Sequence, residues 1–276
     1  MTITTTPGLL IQPEQLLPLL GDSRYLIIDV SSDDNYQRGH VPGSVHISPS
    51  QLLCGIKPAT GKLPTMDQLS SLFSAIGLSD DKHVIVLDDE GGGWAGRLIW
   101  TLDVLGHKQY SYLDGGLVAW TNEGFPITTE PTPLTPSHYT ACRKDSTVIA
   151  ELDPIMASLD NDNFRIWDAR SQAEYDGSKV FAQKGGHIPG AKHLEWTDLM
   201  DKQRNLRLLP LTTIATMLAE RDLGPERDIV THCQSHHRSG LTYLVAKLLD
   251  YPNIRGYHGS WGEWGNHPDT PVETAL

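Results

Sequence analysis

The chain has 276 residues, 39% of them hydrophobic and 20% charged, and a formal net charge of −12. This length accommodates one large domain or two ordinary ones, and the composition is that of a globular rather than a disordered protein. The charge disfavours nucleic acid and anionic lipid as general partners, so an anionic substrate would need a local positive site. No apolar run reaches the roughly 20 residues of a membrane helix, and Met1 to Leu10 lacks the basic and apolar parts of a signal peptide. Cys54, Cys142 and Cys233 are too scattered for a disulfide framework. A cytoplasmic protein with reduced thiols is expected.

In chain order, β-branched runs predict strands at 26–30, 45–47, 84–87 and 110–113, with helices over 66–76 and 96–105 between them. Pro131, Pro133 and Pro136 then mark an extended stretch that neither helix nor central strand tolerates. Beyond it the order repeats: strands at 165–167, 193–194, 229–232 and 254–257, helices over 211–221 and 240–249. Alternating strands and helices imply an α/β fold, each copy a mostly parallel sheet flanked by helices on both faces.

The repeat extends to individual residues. Gly39-His40-Val41-Pro42-Gly43 recurs as Gly186-His187-Ile188-Pro189-Gly190, each turn following a strand that ends in aspartate, Asp29 or Asp168. Further on, Gly96 lies over Gly240, Gly115 over Gly259 and Trp120 over Trp264, all at an offset of 144. Matches in register without a gap indicate duplication. The expected division is a first copy over residues 1–128, a Pro-rich linker over 129–145 and a second copy over 146–276.

Only the second copy places a cysteine where a parallel sheet presents reactive groups, at a strand end before a helix. Cys233 is followed by Gln234, Ser235, His236, His237 and Arg238, with the helix expected near Ser239. Loop amides and a helix N-terminus stabilise thiolate, and Arg238 or a protonated His236 or His237 would add to this. A buried core thiol is the plain alternative, set against five polar residues that follow at once. Cysteine-dependent phosphatases share the His-Cys start and the Arg-Ser, but their loop is one residue longer. His232, Cys233, His236 and His237 also form a dense potential zinc cluster, although a tight loop rarely presents four ligands tetrahedrally.

The tandem copies, the Gly-His-x-Pro-Gly turns and Cys233-Gln-Ser-His-His-Arg238-Ser-Gly240 together resemble the rhodanese family of sulfurtransferases, in its bacterial two-domain thiosulfate form. The resemblance runs from about Gly8 to Trp264 and implies an inactive first copy and a catalytic second copy bearing Cys233. It implies sulfur transfer from thiosulfate to a thiophilic acceptor such as cyanide through a Cys233 persulfide, with no metal or organic cofactor. Gln234, Ser235, His236, His237 and Arg238 would line the substrate site. Arg170, in the Asp168-Ala-Arg170 segment, would help bind the anionic donor; its competing reading is a surface ion pair with Glu174. The loop matches neither the commoner thiosulfate form nor the small neutral loop of mercaptopyruvate enzymes, so 3-mercaptopyruvate, or a persulfide carrier or sensor fed by a partner protein, stand as alternatives. The partners expected are a small anionic donor and a thiophilic acceptor, including a protein or thiol acceptor, and neither nucleic acid nor membrane.

In the first copy Asp89 occupies the place of Cys233 and cannot form a persulfide. The following Gly91-Gly92-Gly93-Trp94-Ala95-Gly96 fits a dinucleotide-binding pattern. Asp88, Asp89 and Glu90 would repel a pyrophosphate, and the repeat explains the glycines as the counterpart of the cysteine loop. His40 and His187 occur in both copies and are expected to make structural hydrogen bonds. Trp94, Trp196, Trp261 and Trp264 are expected in the core or along a cleft between the copies. Cys54 and Cys142 are expected to be inert.

Overall fold

A computed structural model describes residues 7–274. The first copy is a five-stranded sheet of β1 (Leu10–Ile11), β2 (Tyr25–Asp29), β3 (Val45–His46), β4 (His83–Leu87) and β5 (Tyr110–Leu113). Its order is β1-β5-β4-β2-β3, and every pairing is parallel. The second copy repeats this with β6 (Ile149–Ala150), β7 (Phe164–Asp168), β8 (Lys192–His193), β11 (Asp228–His232) and β12 (Ile254–Tyr257), ordered β6-β12-β11-β7-β8. Between β8 and β11 an antiparallel hairpin, β9 (Met200–Asp201) and β10 (Arg207–Leu208), is inserted.

The central strands carry continuous apolar runs because both of their faces are covered; all five residues of β4 are buried. One face of each sheet has its own small core, around Ile27, Ile85 and Trp120 in the first copy and Ile166, Val230 and Trp264 in the second. The opposite faces share a single apolar core, in which Val84, Leu98 and Trp100 join Ile229, Leu241 and Leu244. The copies therefore meet across a core rather than a loose hinge.

At the centre of that core, helix Gly93–Val104 crosses its counterpart Arg238–Leu248. A Cβ on Gly96 would lie 2.2 Å from the Gly240 carbonyl oxygen, and one on Gly240 would lie 2.4 Å from the Arg97 amide nitrogen. Only hydrogen fits at either position. The contact joins equivalent positions of the repeat, so the two strand-loop-helix units face one another.

The first helix begins earlier than the sequence predicts, at Gly93 rather than residue 96, and the second begins at Arg238, next to the start expected near Ser239. Glycine is a weak helix former, but Gly96 and Gly240 are retained in the helices by the close crossing. The edge strands β1 and β6 and the β9–β10 hairpin were not predicted; each strand has only two residues, too short for a periodic signal. Residues 131–146 contain no helix or strand. They are nonetheless tied to the first copy: the amides of Ser137, Tyr139 and Ala141 donate to the Ser74 carbonyl, Ser74 Oγ and Ser70 Oγ at 2.9, 3.0 and 2.9 Å. Among the described residues, no helix is long and apolar enough to cross a membrane.

Gly96→Ala is expected to lower stability by about 2–3 kcal/mol, the usual cost of forcing extra volume into a packed core. Urea unfolding should register the loss; an unchanged midpoint would mean that the crossing yields easily.

Candidate active site

Strand β11 ends at His232, and Cys233 opens a turn that closes at the first helical residue, Arg238. The turn requires His236 to adopt a left-handed backbone (φ 55°). It is pinned from behind by Ser260, whose hydroxyl accepts from the amides of Cys233 (3.3 Å) and His236 (3.0 Å) while donating to the Tyr257 carbonyl (2.8 Å). Ser260 itself has φ 53°, matching φ 55° at its first-copy counterpart Gly116. The amides of Trp261 and Gly262 hold the carbonyls of Cys233 and Gln234, each at 2.9 Å. Among the described residues, the amides of Gln234, Ser235 and His237 have no protein acceptor.

Cys233 is fully buried. Burial raises its pKa, but the Arg238 charge, the Ser239 hydroxyl, His237 and the Ser239 amide outweigh it, leaving the thiol below its ordinary value. Arg238 is fixed by a bidentate bond to Glu174, with distances of 2.7 and 2.8 Å. Glu174 is buried and also accepts from the Ser171 hydroxyl at 2.9 Å. His237 stacks on Trp94 at 4.0 Å and pairs with Glu90, so both of these contacts come from the first copy. Trp196 approaches the same imidazole at 5.8 Å. His236 is buried, its Nδ1 2.7 Å from Ser239 Oγ. Ser235 lies under first-copy backbone: a Cβ on Gly61 would come within 2.2 Å of its carbonyl oxygen.

The histidines diverge rather than surround a common point. His232 lies 3.4 Å from the Asp168 carboxylate, and burial first of all lowers its pKa to about 4 despite that charge. His236 turns to Ser239 and His237 to Glu90. This arrangement does not form the zinc cluster that the sequence spacing allowed.

Arg170 differs from both readings of the sequence. It is buried, bonds Asp168 through Nε (2.9 and 3.0 Å) and Nη2 (2.6 Å), donates to the Gly186 carbonyl (2.8 Å) and lies 4.3 Å over the Trp261 ring. Its surface pair with Glu174 is not formed, because Glu174 belongs to Arg238. The guanidinium is instead committed to the end of β7. Burial raises the Asp168 pKa, but His232 and Arg170 outweigh it and keep the carboxyl well below its usual range.

Glu174, Glu90 and Ser260 are absent from the sequence-based site. Only Ser260 had an available signal: the repeat places it over Gly116, a position that both copies need in a left-handed turn. Of the four tryptophans, Trp94 and Trp196 flank His237, whereas Trp261 and Trp264 are buried. His40 and His187 occupy matching structural roles, each stacked at 3.8 Å on a tyrosine, Tyr36 or Tyr175, with Nδ1 at that tyrosine's carbonyl.

A family model described as the rhodanese-like domain matches residues 12–123 and again residues 151–267. The chain is 48% identical to a thiosulfate sulfurtransferase of Azotobacter vinelandii, covering 96% of this chain and 97% of that protein. It is 44% identical to a thiosulfate sulfurtransferase of Pseudomonas aeruginosa, covering 99% and 100% respectively. Among solved structures it is similar to wild-type EanB, with a TM-score of 0.86 and 21% identity, covering 97% of this chain and 69% of that one; this likeness concerns the fold.

The first-copy loop has the same outline with different contents. Asp89 faces outward to Ser32 and Asn35, accepting from the Ser32 hydroxyl at 2.7 Å. The preceding Asp88 is buried and folds its carboxylate into the turn, accepting from the amides of Glu90, Gly91, Gly92 and Ala95 at 3.2, 3.1, 2.9 and 3.0 Å. A protein carboxylate thus occupies the ring of donors. Burial and then Glu90 push Asp88 up to about 7, against the pull of these amides. Asp88→Ala should cost about 3 kcal/mol by leaving buried amides without acceptors. A carboxyl with a raised folded pKa contributes stability at low pH that is lost as pH rises through that value. The stability gap between wild type and variant should therefore narrow from pH 5 to pH 8 in urea titrations; a constant gap would contradict the assignment.

Proposed function

The chain belongs to the rhodanese-like domain family, and from that premise we propose that it is a thiosulfate sulfurtransferase whose reaction runs on Cys233. The supporting observation is a buried thiol at a strand end and helix N-terminus, its pKa lowered despite burial. The near full-length similarity to two thiosulfate sulfurtransferases selects thiosulfate as donor. In this reading residues 1–128 form a copy without a nucleophile, 129–145 the linker and 146–276 the catalytic copy.

In the first half-reaction the Cys233 thiolate attacks the outer sulfur of thiosulfate. A sulfur–sulfur bond forms to Cys233 as the bond to the sulfonate breaks, and sulfite leaves with the bonding pair. The persulfide keeps one negative charge on its terminal sulfur. The unpartnered amides of Gln234, Ser235 and His237 are available to hold that charge, much as an oxyanion hole does. In the second half-reaction a thiophilic acceptor, cyanide in an assay or a thiol, takes the terminal sulfur and returns the thiolate. Every step is a two-electron transfer between sulfur centres or to carbon, so the cycle balances without an external oxidant, metal or organic cofactor.

Arg238 and Ser239 stabilise the thiolate directly, and Glu174 sets the direction of Arg238. Arg170 acts at one remove: it fixes Asp168, which faces the His232 imidazole beside Cys233. Its loss would loosen the end of β7 rather than delete a donor contact.

Intact mass before and after thiosulfate gives the direct test. Wild type should gain one sulfur mass that cyanide removes, and Cys233→Ala should gain none and lose turnover. Persistence of turnover in the variant would overturn the assignment. Initial rates should give parallel double-reciprocal lines, because the first product leaves before the acceptor reacts; intersecting lines would exclude the persulfide intermediate.

A further inference from the structure

A short turn of the first copy, residues 54–63, reaches across to the cysteine loop. It closes on itself: the Cys54 amide donates to the Lys62 carbonyl at 2.8 Å, the Gly55 amide to Thr60 at 3.1 Å and the Lys62 amide to Ala59 at 3.1 Å. Its outer end is exposed at Ile56, whereas Gly61 is buried. The inner end is anchored on the second copy. Lys62 Nζ lies 2.7 Å from Glu263 and 3.6 Å from Glu151. The Leu63 amide donates to His258 Nδ1 at 3.2 Å, and His258 Nε2 in turn lies 3.2 Å from Glu151.

Between these anchors Gly61 is held against the peptide that joins Ser235 to His236. A Cβ at Gly61 would lie 2.2 Å from the Ser235 carbonyl oxygen, 2.6 Å from its carbonyl carbon and 2.7 Å from the His258 carbonyl oxygen. The Gly61 backbone is not left-handed, so the turn itself does not call for glycine; the approach to Ser235 does. The other side of the same trans peptide is held by the second copy, where the His236 N–H donates to Ser260 Oγ at 3.0 Å. This peptide is therefore clamped, with Gly61 at its carbonyl and Ser260 at its amide. The preceding peptide has its carbonyl, that of Gln234, on the Gly262 amide at 2.9 Å. Its N–H, that of Ser235, points the opposite way and has no acceptor among the described residues. The first copy backs this peptide too: a Cβ at Gly262 would lie 3.0 Å from the Pro58 carbonyl oxygen and 3.1 Å from that of Gln234.

We propose that Gly61, from the copy that lacks the cysteine and seated there by Lys62, is a positioning residue for the reaction at Cys233. It holds the Ser235–His236 peptide on Ser260 and so fixes the direction in which the Ser235 amide is offered to the persulfide sulfur. The proposal rests on the sulfurtransferase reading, and it assigns the first copy a part in the chemistry. Gly61 meets the carbonyl side of the loop rather than the side of its free amides, so its loss should be felt in kcat and not in donor binding.

Gly61→Ala tests this by two readouts. In residue-resolved amide hydrogen exchange, run without a sulfur donor, the His236 amide should exchange about tenfold faster than in wild type while the β11 amides keep their rates. Turnover of thiosulfate and cyanide should fall about tenfold through kcat, with the thiosulfate KM within about twofold of wild type. Unchanged His236 exchange in the folded variant overturns the clamp, as does acceleration spread equally through β11, which would mark general loosening. Faster exchange at His236 with an unchanged kcat overturns the part in the reaction. Should Gly61→Ala not fold, Lys62→Met takes its place, because this side chain is 35% exposed and its ion pairs contribute little to stability. His236 exchange should then rise about threefold and Lys62→Arg should restore it; no rise overturns the proposal. Exchange needs no thiosulfate, so it decides the clamp even where wild type gains no sulfur mass, which is how the sulfurtransferase reading itself would fail.

Discussion

The approach of Gly96 to Gly240 governs the rest of the geometry. Neither helix could come so close with a methyl group at its crossing point, since 2.2 or 2.4 Å to backbone atoms leaves no room. The two glycines are equivalent positions of the repeat, so the crossing brings the two strand-loop-helix units face to face. First-copy residues consequently reach second-copy loop residues: Glu90 and Trp94 meet His237, and Gly61 meets Ser235. The cysteine loop is thus formed by one copy and enclosed by both.

The duplicated loops show how one backbone device accommodates different contents. A strand ending before a helix leaves amides directed into the turn, and those amides need an acceptor. In the first copy Asp88 supplies a carboxylate and four amides close on it. In the second copy His232 stands at the Asp88 position, and its imidazole faces Asp168 instead. The Cys233 and His236 amides are taken up from behind by Ser260, and those of Gln234, Ser235 and His237 stay without an acceptor among the described residues. One loop contains its own anion, whereas the other has amides to spare for one.

The repeat, the parallel sheets and the cysteine turn were legible in the sequence because each depends on local chemistry: apolar runs, glycine positions and one thiol after a strand. What stayed illegible depends on distant pairing. Glu174 is 64 residues from the Arg238 it holds, and Glu90 is 147 from His237. Arg170 was read from the family pattern as a donor-binding side chain, or from its spacing as a partner of Glu174. Its neighbour Asp168, two residues away and fully buried, takes it instead, while the likewise buried Glu174 is taken by Arg238. The strands β1 and β6 were too short to carry a pattern, although they extend each sheet to five.

Charge around Cys233 follows the same logic of burial. The molecule carries −12 overall, so a dianionic donor is repelled at long range and gains attraction only at contact. The basic groups at the thiol are not loose either, since Arg238 and His237 each have a carboxylate partner. Thiolate stabilisation must therefore come from short-range sources: the Ser239 hydroxyl and amide, the helix N-terminus, and charges held where water and salt screen them poorly. Such sources require the loop to be covered, and part of that cover comes from the first copy, through Glu90, Trp94 and Gly61. Detaching the first copy would not merely remove a spectator domain. It would expose the shared core and return the loop to water, where each of those interactions weakens.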